Sequence, residues 1–356
     1  MRHSLLVGII LLVSNFNFLC GQEDTTGIEY SVSDTIQSNF NLFDNEEILE
    51  LSLRFDITTY TKKKPKDEYS EAILTYYISK TDSISKTIRL KSRGNFRNQY
   101  CTFPPIKLNF KKTDFKYEDL NKLSTIKLVT HCKSSKSFEK YVLKEYLVYK
   151  LYNLISEYSF KTRLVRIKYI DTGKKQKSYI HYGFLIEPDN LMASRTNSTL
   201  VKIENISQKH IIPEYMDRVA IFYYMIGNTD WSLPIQHNMK VIVPRDRIQT
   251  SMGIIVPYDF DYCGLVDTHY AIPHESFNIK SVKERLYLGI CRDKETFILA
   301  LKEFKDMKEE IFKLINDVEF LDDKAKKEMT LYLNSFFKGL DNNAVVNDIL
   351  SNCKNY

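Results

Sequence analysis

The sequence predicts an α+β protein of two lobes, a strand-rich N-terminal half with one long helix and a mostly helical C-terminal half. Three observations carry this. Short segments of alternating apolar and polar residues fill the chain up to about position 130, an aromatic-rich run at helical spacing follows, and the residues beyond 290 are amphipathic at a helical period. A chain of 356 residues with 43% hydrophobic content can bury a sizeable core, and that length suits two packed halves.

The first residues, Met1-Arg2-His3 and then an apolar run to Val13, have the form of a secretory signal peptide covering 1–21. The run is too short to span a bilayer. Cleavage after Gly21 would leave Gln22 as the mature start; Cys20 as a lipid-bearing residue is the alternative, which the bulk of Leu19 disfavours. The expectation is export, periplasmic or secreted, with no transmembrane segment, because charge breaks every later apolar run. Beyond the signal stand Cys101, Cys132, Cys263, Cys291 and Cys353, without a C-x-x-C spacing. That argues against a zinc ribbon and a dense disulfide scaffold. One bridge is admissible, with Cys101 and Cys132 as the candidate pair. The excess of six positive charges is spread along the chain apart from Lys62-Lys63-Lys64-Pro65-Lys66 and Lys174-Lys175-Gln176-Lys177, so no nucleic-acid partner is expected.

Residues 22–45 read as a polar lead-in. Leu49, Leu51, Leu53 and Phe55 then alternate with Glu50, Ser52, Arg54 and Asp56, a half-buried strand. Further strands are predicted at 72–78, 85–91, 106–110 and 126–130, together an antiparallel sheet. A long helix over 137–158, capped by Ser137, precedes strands at 163–170 and 179–186. The turn Glu187-Pro188-Asp189-Asn190 ends this half at 190. In the second half, 191–356, a connector leads to a helix over 213–226 with Pro213 in its first turn. Two strands and helices near 294–316, 323–339 and 342–352 follow.

The chemistry concentrates between 227 and 261: Gly227-Asn228-Thr229-Asp230-Trp231, then Gln236-His237-Asn238, a strand, and Pro257-Tyr258-Asp259-Phe260-Asp261. An aspartate after a helix, an asparagine further on, and acids after an apolar strand are what a magnesium-dependent phosphoryl transferase requires. Asp230 would take the proton of a substrate hydroxyl; its alternative role is to cap a turn. Asn238 offers an amide oxygen to a cation and Asp259 a hard carboxylate. Asp261, two residues on, repels Asp259 unless a metal ion or an arginine lies between them. His237 and His269 admit a transition-metal site as a lesser reading. Trp231 would stack on a ligand ring or pack internally.

In the first half, Ser92-Arg93-Gly94-Asn95-Phe96-Arg97 is a turn with two guanidinium groups, suited to phosphate oxygens, although Gly-Asn is also an ordinary hairpin turn. Lys107 sits on a predicted strand. Glu145 shares a helix face with Phe138, Tyr141, Val142, Tyr149 and Tyr152, and an acid there needs a partner. Lys107 is the first candidate and Lys127 the second; tyrosine hydroxyls are the alternative.

These segments, in order over roughly 48–340, resemble the CotH spore-coat kinase-like family and, more distantly, HipA-type atypical kinases. The resemblance rests on the Arg93-Gly94-Asn95 turn, the Ile106-Lys107-Leu108 strand, the long helix, the Asp230 to Asn238 loop and the Tyr258-Asp259-Phe260-Asp261 strand end. It implies a protein-kinase-like two-lobed fold, ATP and Mg2+ as cofactors, and transfer of the terminal phosphate to a protein or small hydroxyl acceptor. Asp230 would be the catalytic base and Asn238 and Asp259 metal ligands, with Asp261 beside them. Lys107 would bind phosphate, and Glu145, Arg93 and Lys127 complete the expected cofactor set. Two features depart from the family pattern. Asn238 lies eight residues after Asp230, against five in kinase loops, and there is no G-x-G-x-x-G loop. The alternatives are a non-catalytic envelope binding or assembly module, and a metal-dependent phosphoesterase using Asp230, Asp259 and Asp261.

Overall fold

A computed structural model describes residues 42–77, 82–113, 123–202, 205–250 and 252–355. The expected signal peptide and most of the expected lead-in lie outside these residues. Seven strands, β1 (Leu49–Phe55), β2 (Ser70–Tyr77), β3 (Ser83–Ser92), β4 (Ile106–Asn109), β5 (Thr125–Val129), β6 (Thr162–Asp171) and β7 (Ser178–Ile186), form a closed barrel in the order β1-β2-β3-β4-β5-β7-β6. Their alternation explains the closure of a core: Leu51, Leu53, Leu90, Ile106, Leu108, Leu128, Val165 and Ile167 turn to one face and are buried together.

This overturns the expected two-lobed, kinase-like architecture with an N-terminal antiparallel sheet. The seam is the reason. β1 pairs with β6 in parallel, from Leu49 opposite Val165 to Phe55 opposite Asp171, while the other barrel pairings are antiparallel. Closing the sheet removes the edges an open one would expose. At the end of the seam the Asp171 carboxylate accepts from the Ile57 and Thr58 backbone N–H groups at 2.9 and 3.1 Å and from the Thr58 hydroxyl at 2.7 Å. It thereby ties down the start of α1 (Ile57–Lys63). Burial raises its pKa, but the Thr58 hydroxyl and the N–H donors of Gly173, Thr58 and Ile57 outweigh this and hold it below the usual value.

A short α2 (Phe96–Tyr100) follows β3, and α3 (Lys136–Ile155) joins β5 to β6. The N-cap of α3 is Ser135 rather than Ser137, with no side-chain capping bond. Packed against β6 and β7 on one side and α7 on the other, α3 is buried around most of its girth. The stretch expected as a connector instead holds α4 (Asp189–Arg195) and β8 (Ser198–Val201). Then come α5 (Pro213–Ile226), β9 (Met239–Pro244) and β10 (Ile254–Pro257), the last two forming a small sheet with β8 in the order β10-β9-β8. The expected helix near 294–316 is two, α6 (Lys294–Asp306) and α7 (Lys308–Asp317), broken at Met307. After these come α8 (Asp323–Asp341) and α9 (Ala344–Asn352). Asp293 and Asp322 cap α6 and α8 through the N–H groups of Thr296 and Ala325.

Cys101 pairs with Cys132, and a second bridge not anticipated from sequence joins Cys291 to Cys353. Cys263 is buried and free. Among the described residues no helix is long and apolar enough to cross a membrane.

Candidate functional site

Helix α5 ends where the candidate site begins. Gly227 adopts a left-handed conformation (φ 66°) and its N–H and that of Asn228 return to the last turn of α5, a termination that favours glycine. A Cβ there would also collide with the Tyr332 hydroxyl. The chain leaves the helix, and the Asn228 side chain accepts the Asp230 N–H at 2.9 Å. The Asp230 carboxylate then faces two neighbours: His237 Nε2 lies 3.1 Å from Oδ1, and Asn238 Nδ2 donates to Oδ2 at 2.8 Å. The same Asn238 nitrogen donates to the Asp230 carbonyl at 2.8 Å. Both amide hydrogens are thus engaged and the Asn238 oxygen is left for another partner. The hydrogen bond to Asp230 pushes the His237 pKa up, against the effect of burial.

Asp259 follows the end of β10 in a left-handed conformation, φ 65°, and Asn238 has φ 56°. Such backbone is costly for a non-glycine residue and persists only where the surroundings hold it. Here the Tyr149 hydroxyl of α3 accepts the Asp259 N–H at 2.8 Å, while Phe260 is buried against the Tyr149 ring. Asp261 lies beyond, in a sealed cluster: its Oδ2 accepts from the Tyr270 hydroxyl at 2.9 Å and stands 3.8 Å from Arg97 Nη1. The same Arg97 nitrogen donates to Glu145 at 3.1 Å, and its Nη2 to the Thr130 carbonyl. Burial, then repulsion from Asp259, pushes the Asp261 pKa up, with Arg97 opposing. Burial likewise raises Glu145, against the pull of Arg97.

From the barrel, Gly94 (φ 85°) turns the chain after β3 and sets Arg93 and Arg97 on the near wall. Lys127 of β5 joins them; its Nζ lies 3.2 Å from Asp189, which also holds Lys240 at 3.4 Å. Burial lowers the Lys127 pKa, Asp189 counteracts this, and Arg93 and Lys240 add to the lowering. The walls enclose a cleft of about 460 Å³ lined by Arg93, Arg97 and Lys127 on the barrel side and by Asp230, His237, Asn238, Tyr258, Asp259 and Asp261 on the other.

Of the residues singled out in the sequence, Arg93, Lys127, Asp230, Asn238, Asp259 and Asp261 line this one cleft. Lys107 and Glu145 do not. Lys107 sits directly opposite Lys127 on the neighbouring strand, and Glu145 meets Arg97 instead of either lysine because its face of α3 looks toward α2. The basic group required beside Asp261 is an arginine, Arg97. His269 bonds the Tyr100 hydroxyl at 2.6 Å rather than joining His237, and Trp231 stacks on Tyr223. Three roles were not anticipated: Arg97 as the shared counter-charge, Tyr149 as the hold on Asp259, and His237, marked only for a transition-metal site, as the partner of Asp230. The paired guanidiniums of the Arg93 to Arg97 turn pointed toward the first.

No protein-family model matches the chain, and no curated protein matches it. Among solved structures, the chain is similar to a Helicobacter pylori proinflammatory kinase, CtkA, at 9% identity and a TM-score of 0.35 over 80% of this chain and 94% of that one. The kinase-like resemblance stops at this slight overlap, which carries no weight for the chemistry.

Proposed function

We propose that the cleft transfers the terminal phosphoryl group of ATP, with Mg2+, to a hydroxyl acceptor. The observation that carries this is one cleft with a cationic wall, Arg93 and Lys127, facing a wall of oxygen donors, Asp230, Asn238 and Asp259. Its volume of about 460 Å³ falls within the range of small-molecule sites. The donors fit magnesium: a carboxylate at Asp259 and a free amide oxygen at Asn238 are hard ligands, and Mg2+ commonly takes one or two such groups and completes its shell with substrate phosphates and water. Bound there, the ion would neutralise charge between the phosphates. Arg93 and Lys127 would hold phosphate oxygens. Asp230, with one oxygen tied to Asn238 and the other to His237, would orient the acceptor hydroxyl and receive its proton. A phosphoesterase built on three aspartates is less well supported, because the Asp261 carboxylate is already taken by Tyr270 and Arg97. We further propose export, which two disulfides support, since such bridges persist in oxidising compartments.

Calorimetry with ATP tests the reading. Binding should require Mg2+ and weaken in Asp259→Asn, and saturating Mg-ATP should raise the melting temperature, since ligand at ~100-fold its Kd adds about 2.7 kcal/mol. No heat and no thermal shift at millimolar nucleotide would overturn it.

A further inference from the structure

Three lysines stand side by side on the outside of the barrel. Lys91 of β3 lies in register with Lys107 of β4, and Lys107 with Lys127 of β5. Their strand neighbours Leu90, Ile106, Leu108, Ile126 and Leu128 belong to the interior core, so alternation puts all three lysines on the outer face. Like charges directly opposed across antiparallel strands are destabilising. Among the described residues only Lys127 has a compensating acid, Asp189. Among the described residues Lys107 has no ion-pair partner, and Lys91 has the Tyr69 ring, 4.9 Å from its Nζ. A sheet that keeps such a row at a cost in stability is suited to an anion supplied from outside.

The row leads into the cleft. Lys127 lines it, and so does Arg93, two residues beyond Lys91. Strand spacing of about 4.8 Å makes the row roughly 10 Å long, the span of about three residues of extended chain. We infer that Lys91 and Lys107, the outer two of the row, seat acidic side chains of a polypeptide acceptor, within about three residues of the hydroxyl that enters the cleft beside Lys127. The inference rests on the phosphotransfer reading for the word acceptor, and on the lysines alone for the acidic peptide. Nucleic acid would want rings free to stack between the charges. Here Tyr69 is covered by Lys91 and Arg89, and Tyr258 by Lys127 and Lys240.

The test is fluorescence anisotropy without nucleotide, using a labelled peptide in which glutamates flank a serine. Binding should weaken about tenfold in the Lys91→Ser, Lys107→Ser double variant, survive in the Lys91→Arg, Lys107→Arg pair, and weaken with added salt. Replacing the peptide's glutamates by glutamine should cost at least about as much. The serine variant should melt no lower than the parent because repulsion has been relieved, which separates lost binding from lost fold. Equal binding of the two peptides, unchanged affinity in the serine variant, or displacement by a single-stranded oligonucleotide at lower concentration than by unlabelled peptide would overturn the inference. The bound peptide is then offered labelled ATP. Binding without label transfer would leave the acidic-peptide seat standing and overturn the phosphotransfer reading beneath it.

Discussion

Two sets of acids, one open to the cleft and one packed around Arg97 beside it, live under opposite conditions. Asp230 is open, its side chain 37% exposed, and bound to neighbours that leave it reachable. Glu145 and Asp261 are sealed, 1% and 7% exposed, and share the Arg97 guanidinium. An acid that must meet a substrate hydroxyl has to be reachable, whereas a buried acid has to be neutralised by the protein itself. The open acid is therefore the one we propose for chemistry, and the sealed pair the one that holds the cleft loop in place.

Removing the shared cation should break that contrast most severely. Arg97→Ala leaves two carboxylates buried without a counter-charge, and denaturant titration should register a loss of about 3–5 kcal/mol. A loss below about 1 kcal/mol would mean that the cluster is not sealed. Next in size is the Cys101–Cys132 bridge, which fixes the end of α2 to the segment before α3. Replacing both cysteines by serine should cost about 2–4 kcal/mol, and Mg-ATP binding should fall with it if α2 positions the cationic wall. Asp230→Asn should move stability by under about 1 kcal/mol, because the open acid is not a fold determinant; a cost near that of Arg97→Ala would erase the distinction.

The smallest effect lies in the contact of Asp230 with His237. The hydrogen bond raises the folded pKa of His237 above its unfolded value, so the protonated form is favoured in the fold. The contribution is present in full below about pH 6.5 and fades as pH rises through the folded value. Both side chains are well exposed, which limits it to a few tenths of a kcal/mol. An NMR titration sharpens the point: the His237 pKa should drop in Asp230→Asn, and an unchanged value would remove the contact from the account.

The parts of this molecule that were legible in the sequence are those with a local signal. Period-two alternation marked Leu49 to Phe55 and its successors as strands with an apolar face, and Pro213 marked the start of α5. The spacing of acids around Asn238 marked the residues that line the cleft. What stayed hidden depends on distant encounters. The parallel β1 to β6 seam has no turn between its strands to announce it, so an open sheet and a closed barrel read alike. Helical phase identified Glu145 as an inward acid but could not say that Arg97, 48 residues earlier, would meet it. The bridge between Cys291 and Cys353 likewise depends on where α6 and α9 pack, not on spacing.

Transfer of label from terminally labelled ATP, with Mg2+ and a serine-containing acidic peptide, probes the central claim most directly. The parent protein should label the peptide, and Asp230→Asn and Asp259→Asn should each lose at least about a hundredfold in rate while keeping the parent fold. Equal labelling by all three proteins, or none by the parent, would contradict the account.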